Sequence, residues 1–351
     1  MRSLLLQTVP MSRRLRPLVA FLLIIAWCAV VADSMLLAAA AQQVKEPERL
    51  DPQMQKRPGL AGHRFVASPL TREAFPRTAV SISMGVGQAL DVELLPTVVL
   101  SNGDTLQGLQ GDLAVALLGV GYGYAIRDWL EISAEFGLVG RLGTDVGALF
   151  TEGATVLTSF DVGWLFRLLE RDRVYLSGNF VVSSSGFTGL QVGDWVEGIV
   201  DGNEIPLVSS VPSLRTVAGL RLAWALNDLW GVSAATNLGY GEQVSKRTEN
   251  TTTFSLALAV DADLYARTSA PIGFSLGAEI ANTAVDGRPD VDDVIVGNLR
   301  TAYTGKDDFL IAVDFIFSRL KPRQSVDADG LPESSSSVKT GSVSAIMQFY
   351  F

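Results

Sequence analysis

The sequence predicts an all-β chain, a transmembrane antiparallel up-and-down β-barrel of about 12 strands. Three observations predict it. The last segment, Gly341-Ser-Val-Ser-Ala-Ile-Met-Gln-Phe-Tyr-Phe351, alternates: Val343, Ala345, Met347, Phe349 and Phe351 share one face, while Ser342, Ser344 and Gln348 share the other with Ile346 and Tyr350. That is the two-residue period of a strand standing between lipid and lumen. The 48% hydrophobic content is dealt out singly among Ser, Gly, Thr and Asp beyond the first 41 residues, never collected into a second long apolar run. Finally, one hairpin phrase recurs: Tyr124-Ala-Ile-Arg-Asp-Trp-Leu-Glu-Ile-Ser-Ala134, Trp224-Ala-Leu-Asn-Asp-Leu-Trp-Gly-Val-Ser-Ala234 and Tyr303-Thr-Gly-Lys-Asp-Asp-Phe-Leu-Ile-Ala312.

Residues 1–41 are expected to be a cleaved signal peptide. Arg13, Arg14 and Arg16 precede an apolar run from Leu18 to Val31, and the small residues Ala38 to Ala41 lead into Gln42-Gln43. A spanning helix is the competing reading, but Asp33 and Ser34 interrupt the run. The basic group lies far from Met1, so Met11 is a second candidate start. Cys28, the only cysteine, follows Trp27 where a lipoprotein signal wants a small residue, so it goes with the signal and leaves no thiol or cysteine metal site. The net charge of −9 becomes −12 on processing, with 24 basic against 36 acidic residues, which disfavours nucleic acid as a partner.

Residues 42–77 are expected to be a periplasmic N-terminal extension or linker. Lys45-Glu-Pro-Glu-Arg, Asp51-Pro and Lys56-Arg-Pro carry charge and proline without a sustained period. The aromatics of Gly62-His-Arg-Phe-Val-Ala-Ser-Pro-Leu and Glu73-Ala-Phe-Pro allow a plug or cap at the barrel mouth, but a tethered lead-in to the first strand is preferred.

The barrel is expected over 78–351. In the recurring phrase an aromatic closes one strand, an Asp-containing tight turn reverses the chain, and bulky residues open the next strand. Leu168-Leu-Glu-Arg-Asp-Arg-Val-Tyr175 and Leu264-Tyr-Ala-Arg-Thr-Ser-Ala-Pro271 are two further turns. Five short turns alternating with longer polar loops give strands at 78–89, 111–126, 129–140, 154–168, 173–184, 213–226, 229–240, 252–266, 272–283, 293–303, 308–318 and 341–351. A soluble β-sandwich or barrel would not keep outward positions such as Leu256, Leu258, Val260 and Leu264 apolar along whole strands. Gly119-Val-Gly-Tyr-Gly123 lacks the second spacing of a nucleotide loop and sits inside a strand. Asp286 to Asp293 and Asp194 to Glu204 are acidic loops without an EF-hand ligand order, and 185–212 is the longest outer loop, either a lid or a rim element.

The export signal, the hairpin phrase and the terminal Phe351 together resemble those of Gram-negative outer-membrane barrels over nearly the whole mature length, Phe351 standing for the assembly signal. The resemblance implies an integral outer-membrane protein that contacts lipid and lipopolysaccharide and is inserted by the barrel assembly machinery. Its strand number is similar, more loosely, to that of transporter-like barrels associated with uptake of aromatic degradation substrates. Barrel enzymes of the group resemble one another in using a barrel-borne histidine as general base. Here His63 is the only histidine and lies in the extension, so no enzyme, cofactor or metal is expected.

If the apolar faces meet lipid, parity puts a band of charge inside: Glu131, Glu135, Asp161, Arg167, Arg215, Arg221, Asp261, Asp263, Glu279, Arg300 and Asp314. Most lie about five to ten residues from the nearest turn, at mid-membrane height, where facing lipid would cost an Arg about 2–4 kcal/mol. Small inward residues, Gly119, Gly121, Gly123, Gly219, Ala223, Gly273 and Gly277, leave room. Three function classes follow, the remote one a barrel enzyme working through an acid pair that no spacing selects. A passive channel would conduct small solutes through a narrow lumen whose seven acids against four Arg favour cations. A structural or surface-interaction barrel would have its lumen closed by salt bridges or by 42–77.

Overall fold

Twelve strands carry the alternation from residue 79 onward. They are β1 (Ala79–Leu95), β2 (Leu109–Arg127), β3 (Leu130–Gly143), β4 (Ala154–Arg171), β5 (Val174–Leu190) and β6 (Val208–Ala225). They continue as β7 (Trp230–Glu242), β8 (Asn250–Asp263), β9 (Ile272–Val285), β10 (Val291–Tyr303), β11 (Phe309–Lys321) and β12 (Val338–Tyr350). The computed structural model describes residues 57–95, 98–99, 105–106, 109–143, 154–190, 208–242, 250–285, 291–321 and 338–351. Each strand pairs antiparallel with the next, and β12 pairs with β1 from Lys339 opposite Leu90 to Tyr350 opposite Ala79, closing the barrel.

The exterior is apolar because every second residue of each strand has no protein to pack on. In β8, Leu256, Leu258 and Val260 are 40–54% exposed while Ala257 and Ala259, one step along, are 1% exposed. Exposed aromatics gather near the short turns: Tyr122, Tyr124, Trp129, Trp224, Trp230, Tyr265, Tyr303 and Phe351. This is the interfacial girdle of a barrel built for lipid. In the Asn227-Asp228 turn the Asn227 side-chain oxygen accepts from the Leu229 and Trp230 amides, both at 2.9 Å, which fixes the reversal between β6 and β7.

All twelve expected strands are present, and their differences from expectation lie at the ends. β8 stops at Asp263, so Leu264 leaves the outward apolar row and instead starts a helical turn, α1 (Tyr265–Thr268). The Thr268 hydroxyl bonds the Leu264 carbonyl at 2.8 Å, and Ser269, at φ 57°, ends the turn. At the other mouth β1, β5 and β6 run past the expected boundaries, with Leu190 still paired to Val208. Hairpin pairing needs no lipid, so it continues after the outward apolar pattern fades. The signal region, residues 42–56, the loop stretch 191–207 with Asp194 to Glu204, and residues 286–290 of the other acidic loop lie outside the described residues.

The expectation of a plain lead-in is corrected by the described part of the extension. Residues 57–78 fold inside the turn-side half of the barrel. A small hairpin, Gly59–Leu60 with His63–Arg64, reverses through Ala61 and Gly62, both at positive φ. The chain then climbs to a tip at Pro69–Arg72, where the Arg72 amide bonds the Ser68 carbonyl at 2.9 Å, and descends into β1. Two apolar clusters seat it: Phe65, Ala74 and Phe75 pack on Tyr175, Ala223 and Ala225, and Val66 packs with Ala302, Leu310, Ala312 and Tyr350. Part of the room left by small inward residues is what this plug occupies. A Cβ at Gly273 would meet Val66 at 2.6 Å, and one at Gly277 would meet the Ser68 hydroxyl at 2.8 Å.

Candidate functional site: a plugged and charged lumen

Ten of the eleven charged positions line the lumen, and they divide by what they meet. The turn-side group is consumed by the plug. Asp261 binds His63 Nε2 at 2.8 Å and accepts the Val66 amide at 3.0 Å. Asp263 pairs with Arg57 and accepts the Thr304 hydroxyl at 2.7 Å. Arg300 forks onto Asp314 at 2.7 and 2.8 Å, and its remaining nitrogen donates to the Ala67 carbonyl. Asp261, Asp263, Arg300 and Asp314 are all buried.

The middle group braces the plug's tip and exit. Glu131 accepts the Arg77 amide at 2.8 Å, Glu135 pairs with Arg72 at 3.2 Å, and Arg221 donates to the Glu73 carbonyl at 2.9 Å. Arg221 thus holds backbone rather than a carboxylate partner. Glu73 itself is gripped from β12: the Tyr350 hydroxyl donates to it at 2.6 Å and the Gln348 amide at 3.2 Å. Burial raises the Glu73 carboxyl above its ordinary value, against the pull of the Tyr350 hydrogen bond and of Arg77 and Arg300.

Asp161, Arg215 and Glu279 make up the third group, which has no hydrogen bond or ion pair among the described residues. Oδ1 of Asp161 and Nε of Arg215 are buried without a partner. Arg167 is the exception to the band. It is the last residue in register before the bulge, opposite Ser177, and sits at the turn rim, where it pairs with Asp128 at 2.8 Å and with Glu170.

Two cavities of about 450 Å³ each flank the plug tip. One runs along β1 to β4, lined by Ser81, Ser83, Gly119, Gly121, Glu131 and Glu135; the other lies against β5 to β9, lined by Asn179, Arg215, Asn237 and Glu279. Asp161, Arg72 and Arg221 belong to both, and a pocket of about 50 Å³ beneath Arg72 shares their walls.

Sequence reasoning missed the plug's share of the site: Arg57, His63, Arg72 and Glu73. A compositional signal was present, since residues 57–77 hold four Arg and His63 against a single acid and so complement an acid-rich lumen. Adding them brings the acids to eight and the arginines, without the rim residue Arg167, to seven, which nearly removes the expected cation bias. His63 sits edge-on to Phe65, with Nε2 on Asp261 and Nδ1 3.3 Å from the Asp228 carbonyl, so neither ring nitrogen is left for a nucleophile.

No family model and no curated protein sequence matches the chain. Among solved structures it is similar to the translocator domain of the autotransporter NalP from Neisseria meningitidis, at 11% identity over 78% of this chain and 88% of that one, TM-score 0.46. It is similar to an outer membrane channel from Pseudomonas putida F1 at 8% identity over 86% and 100% of the chains, TM-score 0.45. It is also similar to the Pseudomonas putida toluene transporter TodX at 11% identity over 88% and 99%, TM-score 0.40.

Proposed function

We propose that the protein is an integral barrel of the bacterial outer membrane, exported by a cleaved signal at 1–41, that passes small polar solutes beside an N-terminal plug. The carrying observation is the pair of polar cavities around the plug tip. There, among the described residues, Asp161, Arg215 and Glu279 stand unengaged while the other charged residues of the band have partners. A wall built only to brace the barrel would pair its buried charges, because an orphaned one is costly. The alternative is a structural barrel with a closed lumen, favoured by the filled turn-side half. Lipid, lipopolysaccharide and the assembly machinery are its proposed partners in either case.

Single-channel recording in planar bilayers separates the two readings. The channel reading expects discrete conductance steps that become larger or more frequent in an Asp261→Asn, Asp263→Asn variant with a loosened plug. Silence in both forms, with the barrel intact, would leave the structural reading. Location has its own check: the protein should fractionate with outer membranes and migrate faster on gels unheated than boiled, whereas recovery in the soluble periplasm would end both readings.

A further inference from the structure

The cavity against β5 to β9 contains opposite charges held apart. Asp161 of β4 stands opposite Ser183 of β5, and Ser183 stands opposite Arg215 of β6. The carboxylate and the guanidinium therefore share one row, two strands apart, about 10 Å along the wall at the usual strand spacing. The short Ser183 side chain leaves the space between them open. Glu279 faces the same cavity from β9.

Asn179 supplies an independent sign. It is 4% exposed, lines this cavity, and its side-chain oxygen has no hydrogen-bond partner among the described residues. That oxygen and the one of Asn237 converge over Gly219, the Asn179 oxygen 2.9 Å from where a Cβ would stand. Oxygen acceptors converging in a buried space call for a donor.

We propose that this cavity binds a small zwitterionic solute of the amino-acid or short-peptide class, with its carboxylate on Arg215 and its ammonium on Asp161. A guanidinium matches a carboxylate with two parallel hydrogen bonds. An ammonium offers three donors, and the Asp161 carboxylate offers two acceptor oxygens. The lumen's nearly balanced eight acids and seven arginines suit a solute that is neutral overall but carries separated charges. The volume of about 450 Å³ is that of a small-molecule site. The inference rests on the channel reading, since the cavity lies beside the plug tip on the route that reading requires.

The test is calorimetric titration of the full chain in detergent micelles with diglycine. N-acetyl-diglycine lacks the ammonium, diglycine amide lacks the carboxylate, and glucose serves as an uncharged control. Diglycine should bind saturably, with both blocked forms about tenfold weaker or worse. Arg215→Gln and Asp161→Asn should each weaken diglycine by a similar factor while keeping the fast-migrating unheated band. Should a variant fail to assemble, the blocked ligands on the unaltered chain still decide. Equal binding of glucose or of either blocked form overturns the proposal, as does the absence of saturable diglycine binding. Diglycine binding without conductance would remove the channel reading and keep the site; conductance without diglycine binding would do the reverse.

Discussion

Replacing Arg300 by Met tests whether the turn-side lumen is dry. Arg300 stands directly opposite Asp314 across β10 and β11, and the two share a forked pair in which Asp314 is fully buried. Met fills much of the arginine stem's volume but leaves the carboxylate without its cation, a change that costs about 3–5 kcal/mol when a buried pair loses one partner. It also strips the donor from the Ala67 carbonyl, so the plug should loosen with the wall. Adding Asp314→Leu removes the stranded charge, and barrel stability should return to within about 1 kcal/mol of the original, since a buried pair replaced by apolar residues is often neutral. The plug would stay loosened. Urea unfolding in lipid vesicles, followed by gel mobility, reads the wall. Maleimide labelling of a cysteine placed at buried Ser68 reads the plug, and the mature chain has no other expected thiol. If the single variant unfolds at the original urea concentration, or the double is as weak as the single, the dry-lumen reasoning is wrong.

Three further outcomes are expected. His63→Ala should leave Asp261 with only the Val66 amide, weaken plug docking by about 1–3 kcal/mol, and speed tryptic cleavage at Arg57 and Arg64. Because docking raises the Glu73 carboxyl above 4.5, the docked form holds the proton more tightly. Protection of the plug from protease should therefore be fullest in acid and decline as pH rises past that value, and Glu73→Gln should flatten the profile. Deleting Phe351, or replacing it with Asp, should lower the yield of heat-modifiable barrel more than any substitution within 286–290; equal yields would show that the terminal residue is no assembly signal.

The wall was legible in the sequence because lipid imposes a period of two, and that constraint acts on every strand at once. Even 293–303, with mixed faces, took its place because its neighbours β9 and β11 leave one position between them. The plug was not legible for the opposite reason. It touches the wall through single residues, His63, Val66 and Ser68, spaced by no repeat, and its partners lie some 160 to 230 residues away in the chain. Parity put Asp261 and Arg300 on the inner face, but could not tell that a histidine and a carbonyl from residues 57–78 would claim them. Arg167, in the inward row opposite Ser177 yet paired with Asp128 at the rim, shows that parity gives the face and not the height.

Three strands hold the point at which the plug becomes wall. The Ala125 amide of β2 donates to the Thr78 hydroxyl at 3.2 Å, Glu131 of β3 takes the Arg77 amide, and the Phe351 amide beyond β12 donates to the Thr78 carbonyl at 2.9 Å. No slack separates these anchors from β1. The plug is thus a door on a fixed hinge rather than a cork. Its tip at Pro69 lies nine residues from Thr78, so even a fully extended chain carries it no more than about 30 Å. A door hung this way would keep its hinge end at the seat however far its tip moved.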